Sequence, residues 1–146
     1  MQYQVLCGYQ VEIDKNATAK WYKASDGWGC DCGHCRNFLQ AAKTKKLPSH
    51  ITQILDALDI PPEKATYVGQ LYTDTRGILY QFSYRIVGRI IHSPKEEGTE
   101  EGRCCHEPYP YGAPGFPEPH FDLEFFTRLP WVLDEPQNAM PSQNSL

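Results

Sequence analysis

The sequence predicts an α+β fold in which a mainly antiparallel sheet of about four strands packs on a two-helix hairpin. Three observations lead to this prediction. Apolar residues first alternate with a period of two, then recur with a helical period in two stretches, and alternate again over the second half of the chain. With 146 residues, 40% of them hydrophobic, we expect one domain over residues 1–133, a Pro- and Gly-rich loop at about 93–119 and a flexible tail at 134–146.

The first predicted strand runs from Tyr3 to Ile13, where every odd position is apolar or aromatic and most even positions are polar. This pattern indicates a strand with one buried face, which includes Cys7. A buried cysteine behaves as a small hydrophobic side chain, so we assign Cys7 to packing. Residues 15–29 show no clear period and are predicted to form a loop.

Two helices with a short connection are predicted next, because apolar residues recur at the i, i+3, i+4 and i+7 positions. The apolar stripe of the first helix consists of Cys35, Phe38, Leu39 and Ala42. The stripe of the second consists of Ile51, Ile54, Leu55 and Leu58. Pro48 and Ser49 introduce the second helix, and Pro61 with Pro62 prevents its continuation.

A β-hairpin and a final strand complete the predicted fold. Residues 66–73 and 78–91 alternate around the turn Asp74-Thr75-Arg76-Gly77. One face of the second hairpin strand is aromatic and aliphatic. The opposite face is polar and is expected to meet solvent or a polar partner; it carries Gln81, Ser83, Arg85 and Arg89. The last predicted strand carries Phe121, Leu123 and Phe125 in alternation with acidic residues.

Charge and hydropathy exclude two classes of partner. The net charge of -4 offers no overall attraction to a nucleic-acid backbone, so no nucleic-acid partner is expected. The chain has no apolar run of the length that crosses a bilayer, and its first residues lack the basic and apolar regions of a secretory signal. We therefore expect a cytoplasmic protein, in which thiols are kept reduced.

Three of the six cysteines lie in the segment GWGCDCGHCRNF, directly before the first predicted helix. Thiolates at the spacing of Cys30, Cys32 and Cys35 can converge on one tetrahedral ion, so this pattern predicts a zinc site with these three ligands. A fourth ligand or an open position is then required. The candidates for a fourth ligand are Cys105 or His106, then the adjacent Cys104, and after these Cys7 and His34.

Two other interpretations of the cysteines stay open. Cys32-Gly33-His34-Cys35 matches the CGHC tetrapeptide of protein disulfide isomerases, which suggests thiol–disulfide exchange with Cys32 as nucleophile and Cys35 as resolving thiol. The context argues against it, because a thioredoxin-like domain needs a βαβ unit and a later cis-proline, whereas here helix follows helix. The third interpretation is packing alone, with the cysteines as small side chains of a tight turn.

Beyond that pair, no catalytic template is present: the sequence has no nucleophile elbow, phosphate loop, dinucleotide fingerprint or HExxH motif. We therefore expect a non-enzymatic module that binds another molecule, most simply a protein. Contact would be made through the polar sheet face or through aromatic residues of the long loop, namely Tyr109, Tyr111 and Phe116.

Four segments also resemble a known family: WYKASDGWGCDCGHCRNFLQAA, ALDIPPEKATYVGQLY, LYQFSYRIVGRI and PHFDLEFFTRLPWVL. Together they are similar to a family of small uncharacterised bacterial proteins, frequent among Firmicutes, that share a CxCxxCxNF motif. The resemblance spans roughly residues 21 to 133 without much of the Pro-rich loop, and Asp59 stands where the family pattern has Gly. It implies a bacterial, cytoplasmic origin and carries no reaction, cofactor or substrate.

Overall fold

The structure, a computed structural model, describes residues 1–95, 102–106 and 113–137. In these residues it has three α-helices and six strands. The strands are β1 (Gln2–Leu6), β2 (Tyr9–Ile13), β3 (Tyr67–Asp74), β4 (Gly77–His92), β5 (Arg103–Cys105) and β6 (His120–Leu129). The helices are α1 (Lys15–Ala24), α2 (Gly33–Lys43) and α3 (Ser49–Ala57). The α+β class is confirmed, whereas the predictions of about four strands and of two helices are too low.

The strands form one sheet in which every described pairing is antiparallel. The order is β1-β2-β4-β6-β5, and β3 pairs with β4 as well. The long strand β4 therefore connects two sheet regions, because its first half pairs with β3 and its last residues pair with β2. Beside β2, Gly88 of β4 has a φ of 152°, and an added Cβ would lie only 2.1 Å from the carbonyl oxygen of Glu12.

The single strand predicted for residues 3–13 is wrong, because a two-residue turn divides it into β1 and β2. Cys7 and Gly8 both have positive φ angles, 51° and 85°, as this kind of hairpin turn requires. Consequently Tyr3 and Val5 lie on an edge strand and are 74% and 64% exposed, whereas the predicted burial is correct for β2. The glycine at position 8 was the sequence signal for the turn.

Helix α1 occupies the stretch predicted to be a loop. It closes a gap along one edge of β4, between the part that pairs with β3 and the part that pairs with β2. There the Tyr22 hydroxyl donates to the carbonyl of Arg85 at 2.7 Å, and the amide of Val87 donates to the Thr18 hydroxyl at 3.0 Å. Two buried side chains one turn apart make too narrow an apolar stripe to reveal this helix in the sequence.

The core lies between the helices and one face of the sheet. Tyr80, Phe82, Tyr84 and Ile86 of β4 are fully buried on this face, as the alternation predicts. Phe38 of α2 packs on Phe82 with 4.8 Å between the ring centroids. Helix α3 adds Ile51 and Leu55, which are both buried. Residues of α2 and α3 thus share one core with the sheet, and the third helix, α1, which the predicted two-helix hairpin did not include, adds Tyr22 to it.

The polar face of β4 is buried over most of its length, contrary to prediction. Arg85 is 5% exposed and lies 3.2 Å from the carboxylate of Asp122, which is 1% exposed and stands opposite it on β6. Glu124, also buried on β6, accepts hydrogen bonds from Gln81 and Arg103. Asp122 and Glu124 of β6 therefore pair with Arg85 and Gln81 of β4. The sequence analysis expected these two side chains to meet solvent or a polar partner.

The predicted long loop at about 93–119 contains a strand. Residues 103–105 form β5, which pairs with β6 at the edge of the sheet. Phe116, predicted as an exposed contact residue, is only 6% exposed and packs on Trp21 with 4.7 Å between ring centroids. That prediction is wrong for Phe116, while Tyr109 and Tyr111 lie outside the described residues. No described helix has the length and apolar character needed to cross a membrane.

Candidate metal centre

Cys30, Cys32 and Cys35 come together at the start of α2. Their ligand atoms all lie within 4.8 Å of one another. Cys30 is exposed, and the other two are partly buried. Zinc held by thiolates at ~2.3 Å places neighbouring sulfur atoms ~3.8 Å apart, so small side-chain rotations would bring this group into a coordination shell. The three sulfurs therefore form a cluster that could hold a metal ion.

Local backbone structure positions Cys32 at this cluster. It is the residue that precedes the first turn of α2, and it has an extended conformation with no side-chain capping bond. Burial raises the pKa of the Cys32 thiol, but hydrogen bonds from the Cys35 backbone, from the Cys30 and Cys35 side chains and from the His34 backbone outweigh burial and lower it overall. The helix start therefore favours a thiolate at Cys32, as a metal ligand requires.

Cys35 lies in the first turn of α2 and has a different environment. The indole N–H of Trp28 donates to its sulfur at 3.3 Å. Burial raises the pKa of Cys35, the Trp28 hydrogen bond opposes that rise, and the neighbouring thiols of Cys30 and Cys32 add to it. Trp28 itself packs edge-to-face on Tyr67 of β3, with 5.6 Å between ring centroids. The sheet thus holds the indole against the cluster.

The pKa of Cys32 is lowered and that of Cys35 is raised, so the two thiols should differ in reactivity. In the metal-free, reduced protein we expect iodoacetamide to modify Cys32 at a lower pH than Cys35, because the thiolate is the nucleophile. Replacing Trp28 by Phe removes a donor to the Cys35 sulfur, so it should raise the pKa of Cys35 further and slow its modification at a given pH. Peptide mass spectrometry over a pH series measures both effects.

The matched control for this measurement is Trp131→Phe, because Trp131 packs on His34 rather than on a cysteine. We expect this variant to leave the reactivity order and the pH profile of Cys35 unchanged. Equal pH profiles for Cys32 and Cys35 in the native protein, or a shift of Cys35 in both tryptophan variants, would contradict the assigned environments.

The cysteines and histidine predicted as a fourth ligand do not join the cluster. Within the described residues, the group that could share one ion contains Cys30, Cys32 and Cys35 alone. Cys105 pairs in register with Asp122 and Cys104 with Leu123, at the far edge of the sheet. Residue 123 and residue 127, which lies opposite Tyr80, are about 13 Å apart along β6. Because Tyr80 contacts the first turn of α2, that turn lies near residue 127 of β6. Residues 104–106 lie beside residues 122 and 123, toward the other end of β6.

Asn37 and Tyr80 hold the start of α2 in place. The amide of Asn37 donates to the carbonyl of Pro130 at 3.1 Å, and its oxygen accepts from the amide of Val132 at 2.7 Å. The Tyr80 hydroxyl donates to the carbonyl of His34 at 2.7 Å. Asn37 is fully buried, although it interrupts the apolar stripe in the sequence. Asn37 belongs to the CxCxxCxNF motif, but its partners Pro130 and Val132 lie more than 90 residues away and could not be predicted from the sequence.

The chain after β6 also contacts α2. Arg36 forms a two-point ion pair with Glu135, in which Nη2 lies 3.0 Å from Oε2. Its Nε donates to the carbonyl of Asp31 at 2.9 Å, between two of the cysteines. The first residues of the predicted tail at 134–146 thus contact the loop that carries the cluster, and residues 138–146 lie outside the described part.

The surroundings of Cys32 and Cys35 do not favour thiol–disulfide exchange. None of the six cysteines forms a disulfide, and all six are described. A third sulfur, that of Cys30, shares the site. Helix α2 follows a loop and α1, and the described sheet contains no parallel pair that could form a βαβ unit. The cis Glu118–Pro119 bond precedes β6, whereas Pro130, which accepts a hydrogen bond from Asn37 of α2, follows the end of that strand.

Comparison of the chain with protein-family models, with curated proteins and with solved structures finds no match at the threshold applied. The family resemblance of the cysteine segment therefore stays a prediction.

Proposed function

We propose that this chain is a non-enzymatic zinc-binding module in which Cys30, Cys32 and Cys35 hold one ion at the start of α2. The observation that carries the proposal is the convergence of the three sulfurs within 4.8 Å. Chance accounts poorly for three cysteines in six consecutive positions, which run from the loop before α2 into its first turn. Thiolates bind borderline and soft ions, among which zinc prefers a site of this kind.

The environment of the cluster supports a metal that organises structure. The lowered pKa of Cys32 favours the thiolate, and the Trp28 N–H stabilises negative charge on Cys35. A bound ion would tie the exposed loop to the first turn of α2. Asn37 of the same helix forms hydrogen bonds with the backbone of Pro130 and Val132. Zinc would therefore stabilise the junction between the loop, the helix and the chain that follows β6.

Elemental analysis of the purified protein tests the proposal. We expect about one zinc per chain in the native protein and none in Cys32→Ser, since two remaining thiolates bind zinc much more weakly. Cys105→Ser is the matched control: it also removes a partly exposed cysteine, yet it should keep about one zinc per chain. A native protein that stays metal-free after reduction and incubation with zinc would contradict the proposal.

A protein partner stays a prediction, but the structure changes which surface fits one. The buried polar face of β4 is not available for contact. Leu71 and Tyr72 of β3 and Phe126 of β6 are 46%, 48% and 41% exposed. Arginine side chains lie over two of these rings: Arg128 over Tyr72 at 5.4 Å and Arg103 over Phe126 at 5.5 Å. Exposed aromatic and arginine side chains are enriched where proteins bind each other.

A further inference from the structure

The described residues contain every cysteine and every histidine of the chain. The six cysteines and five histidines all lie within residues 1–95, 102–106 and 113–137. In that part of the chain, the one group of three or more potential ligands that could share an ion is Cys30, Cys32 and Cys35. The described residues therefore provide three thiolates at this cluster and no histidine or further cysteine as a fourth ligand.

His34 needs separate consideration, because it lies between two of the ligands in sequence. Successive side chains of an α-helix are about 100° apart around its axis, so His34 and Cys35 lie on different sides of the first turn. The His34 ring packs edge-to-face on Trp131, with 6.3 Å between centroids, whereas the Cys35 sulfur contacts Trp28. The Nε2 atom of His34 is buried and has no hydrogen-bond partner, but it does not belong to the cysteine group.

The cluster is accessible from one side. Cys30 is exposed and Cys32 is partly exposed. On the other side, Trp28 covers the Cys35 sulfur. Zinc sites that serve only structure are closed by four protein ligands, whereas three protein ligands leave a position for a molecule from outside. Solvent therefore reaches the cluster at Cys30 and Cys32.

We propose that the metal held by Cys30, Cys32 and Cys35 keeps one coordination position open, and that this position binds an imidazole or thiol group of another molecule. The inference rests on the proposed zinc site. Imidazole nitrogen and thiolate sulfur are the donors that zinc takes besides carboxylate. A neutral imidazole leaves the charge of the metal complex unchanged, whereas a thiolate makes that charge more negative. Because the exposed carboxylate of Asp31 lies between two of the ligands in sequence, the two probes test binding with and without added negative charge.

Cobalt(II) substitution tests the open position. Cobalt replaces zinc in thiolate sites and reports sulfur ligation through charge-transfer absorption and the coordination geometry through its visible d–d bands. We load the reduced full chain with cobalt and titrate it separately with imidazole and with 2-mercaptoethanol. The expected result is a saturable change of the d–d bands with about one added ligand per cobalt. With imidazole, the charge-transfer absorption of the three protein thiolates should persist.

Variants and a dilution series identify the source of the fourth ligand. His34→Ala should respond to imidazole as the native protein does. If only His34→Ala responds, His34 fills the position and the inference is overturned. If the native protein responds to the probes when dilute but already has a nitrogen or sulfur bound at high concentration, with a dimer by ultracentrifugation, a second copy supplies the donor and the open position is supported.

The failure of this inference is distinguishable from failure of the proposed function. Cobalt bound through three thiolates in a monomer whose spectrum ignores both probes would overturn the open position and leave the metal site intact. Complete absence of cobalt–sulfur absorption would overturn both. Cys35→Ser is the control for specificity, because loss of a ligand should abolish the three-thiolate spectrum before any probe is added.

Discussion

Replacing Asp122 by Ala is expected to lower the free energy of unfolding by about 3–5 kcal/mol, because it leaves the guanidinium of Arg85 buried without this counter-charge. The two side chains are 6% and 2% exposed, and Arg85 Nε lies 3.2 Å from Asp122 Oδ1. Urea unfolding of native and variant protein, followed by tryptophan fluorescence and circular dichroism, measures the difference.

Two controls separate this effect from a general loss of packing. Arg85→Met combined with Asp122→Leu removes both charges, so we expect this double variant to be clearly more stable than Asp122→Ala. Arg89→Met breaks an ion pair with Glu12 in which the arginine side chain is 62% exposed, and it should cost less than about 1 kcal/mol. A loss of the same size in Asp122→Ala and in Arg89→Met would show that burial does not set the energy of the Arg85–Asp122 pair.

Removing zinc with a chelator is expected to lower the free energy of unfolding by about 2–4 kcal/mol when the free ion had been about 1,000-fold above its dissociation constant. The native state gathers the three sulfurs within 4.8 Å, whereas the unfolded chain must bring them together at a cost in entropy. The upper value assumes that unfolded chain does not bind zinc. Because the cysteines span only six positions, residual binding to the unfolded chain reduces the effect.

Chelation should have no effect on Cys35→Ser and its full effect on Cys105→Ser. The stabilisation by zinc should also shrink as the pH falls, because protons compete with the ion for the thiolates. The sign follows from Cys35: its pKa is raised, so zinc binding displaces a proton from it, and acid favours the protonated, metal-free state. Urea unfolding with and without chelator at several pH values checks both expectations. Equal chelator effects in both serine variants would contradict a metal site at the cluster.

The location of the cysteine cluster could be predicted because all of its ligands are local. Cys30, Cys32 and Cys35 span six positions next to a helix start, so short-range geometry alone brings their sulfurs close together. The contacts that support the cluster could not be predicted in the same way. Trp28 is held by Tyr67 of β3, and Asn37 is held by the chain after β6, at separations of 39 and about 94 residues.

The missed elements have a similar explanation. Helix α1 buries only Thr18 and Tyr22 and is stabilised by hydrogen bonds to the edge of β4, more than 60 residues away. The turn at Cys7 and Gly8 interrupts an apolar alternation that looks continuous in the sequence. The polar face of β4 was assigned to solvent because its charges are visible in the sequence, whereas the pairing of Arg85 with Asp122 is not.

By itself, the sequence determined the α+β class, the two central helices, the hairpin of β3 and β4 and the place of the three sulfurs. Each of these depends on periodicity or spacing over fewer than about 30 residues, where backbone geometry relates position to direction. Only the tertiary structure decided which polar groups are buried, which edge α1 closes and that no histidine or further cysteine reaches the cluster. Those features depend on strand order and register, which bring together residues from distant parts of the chain.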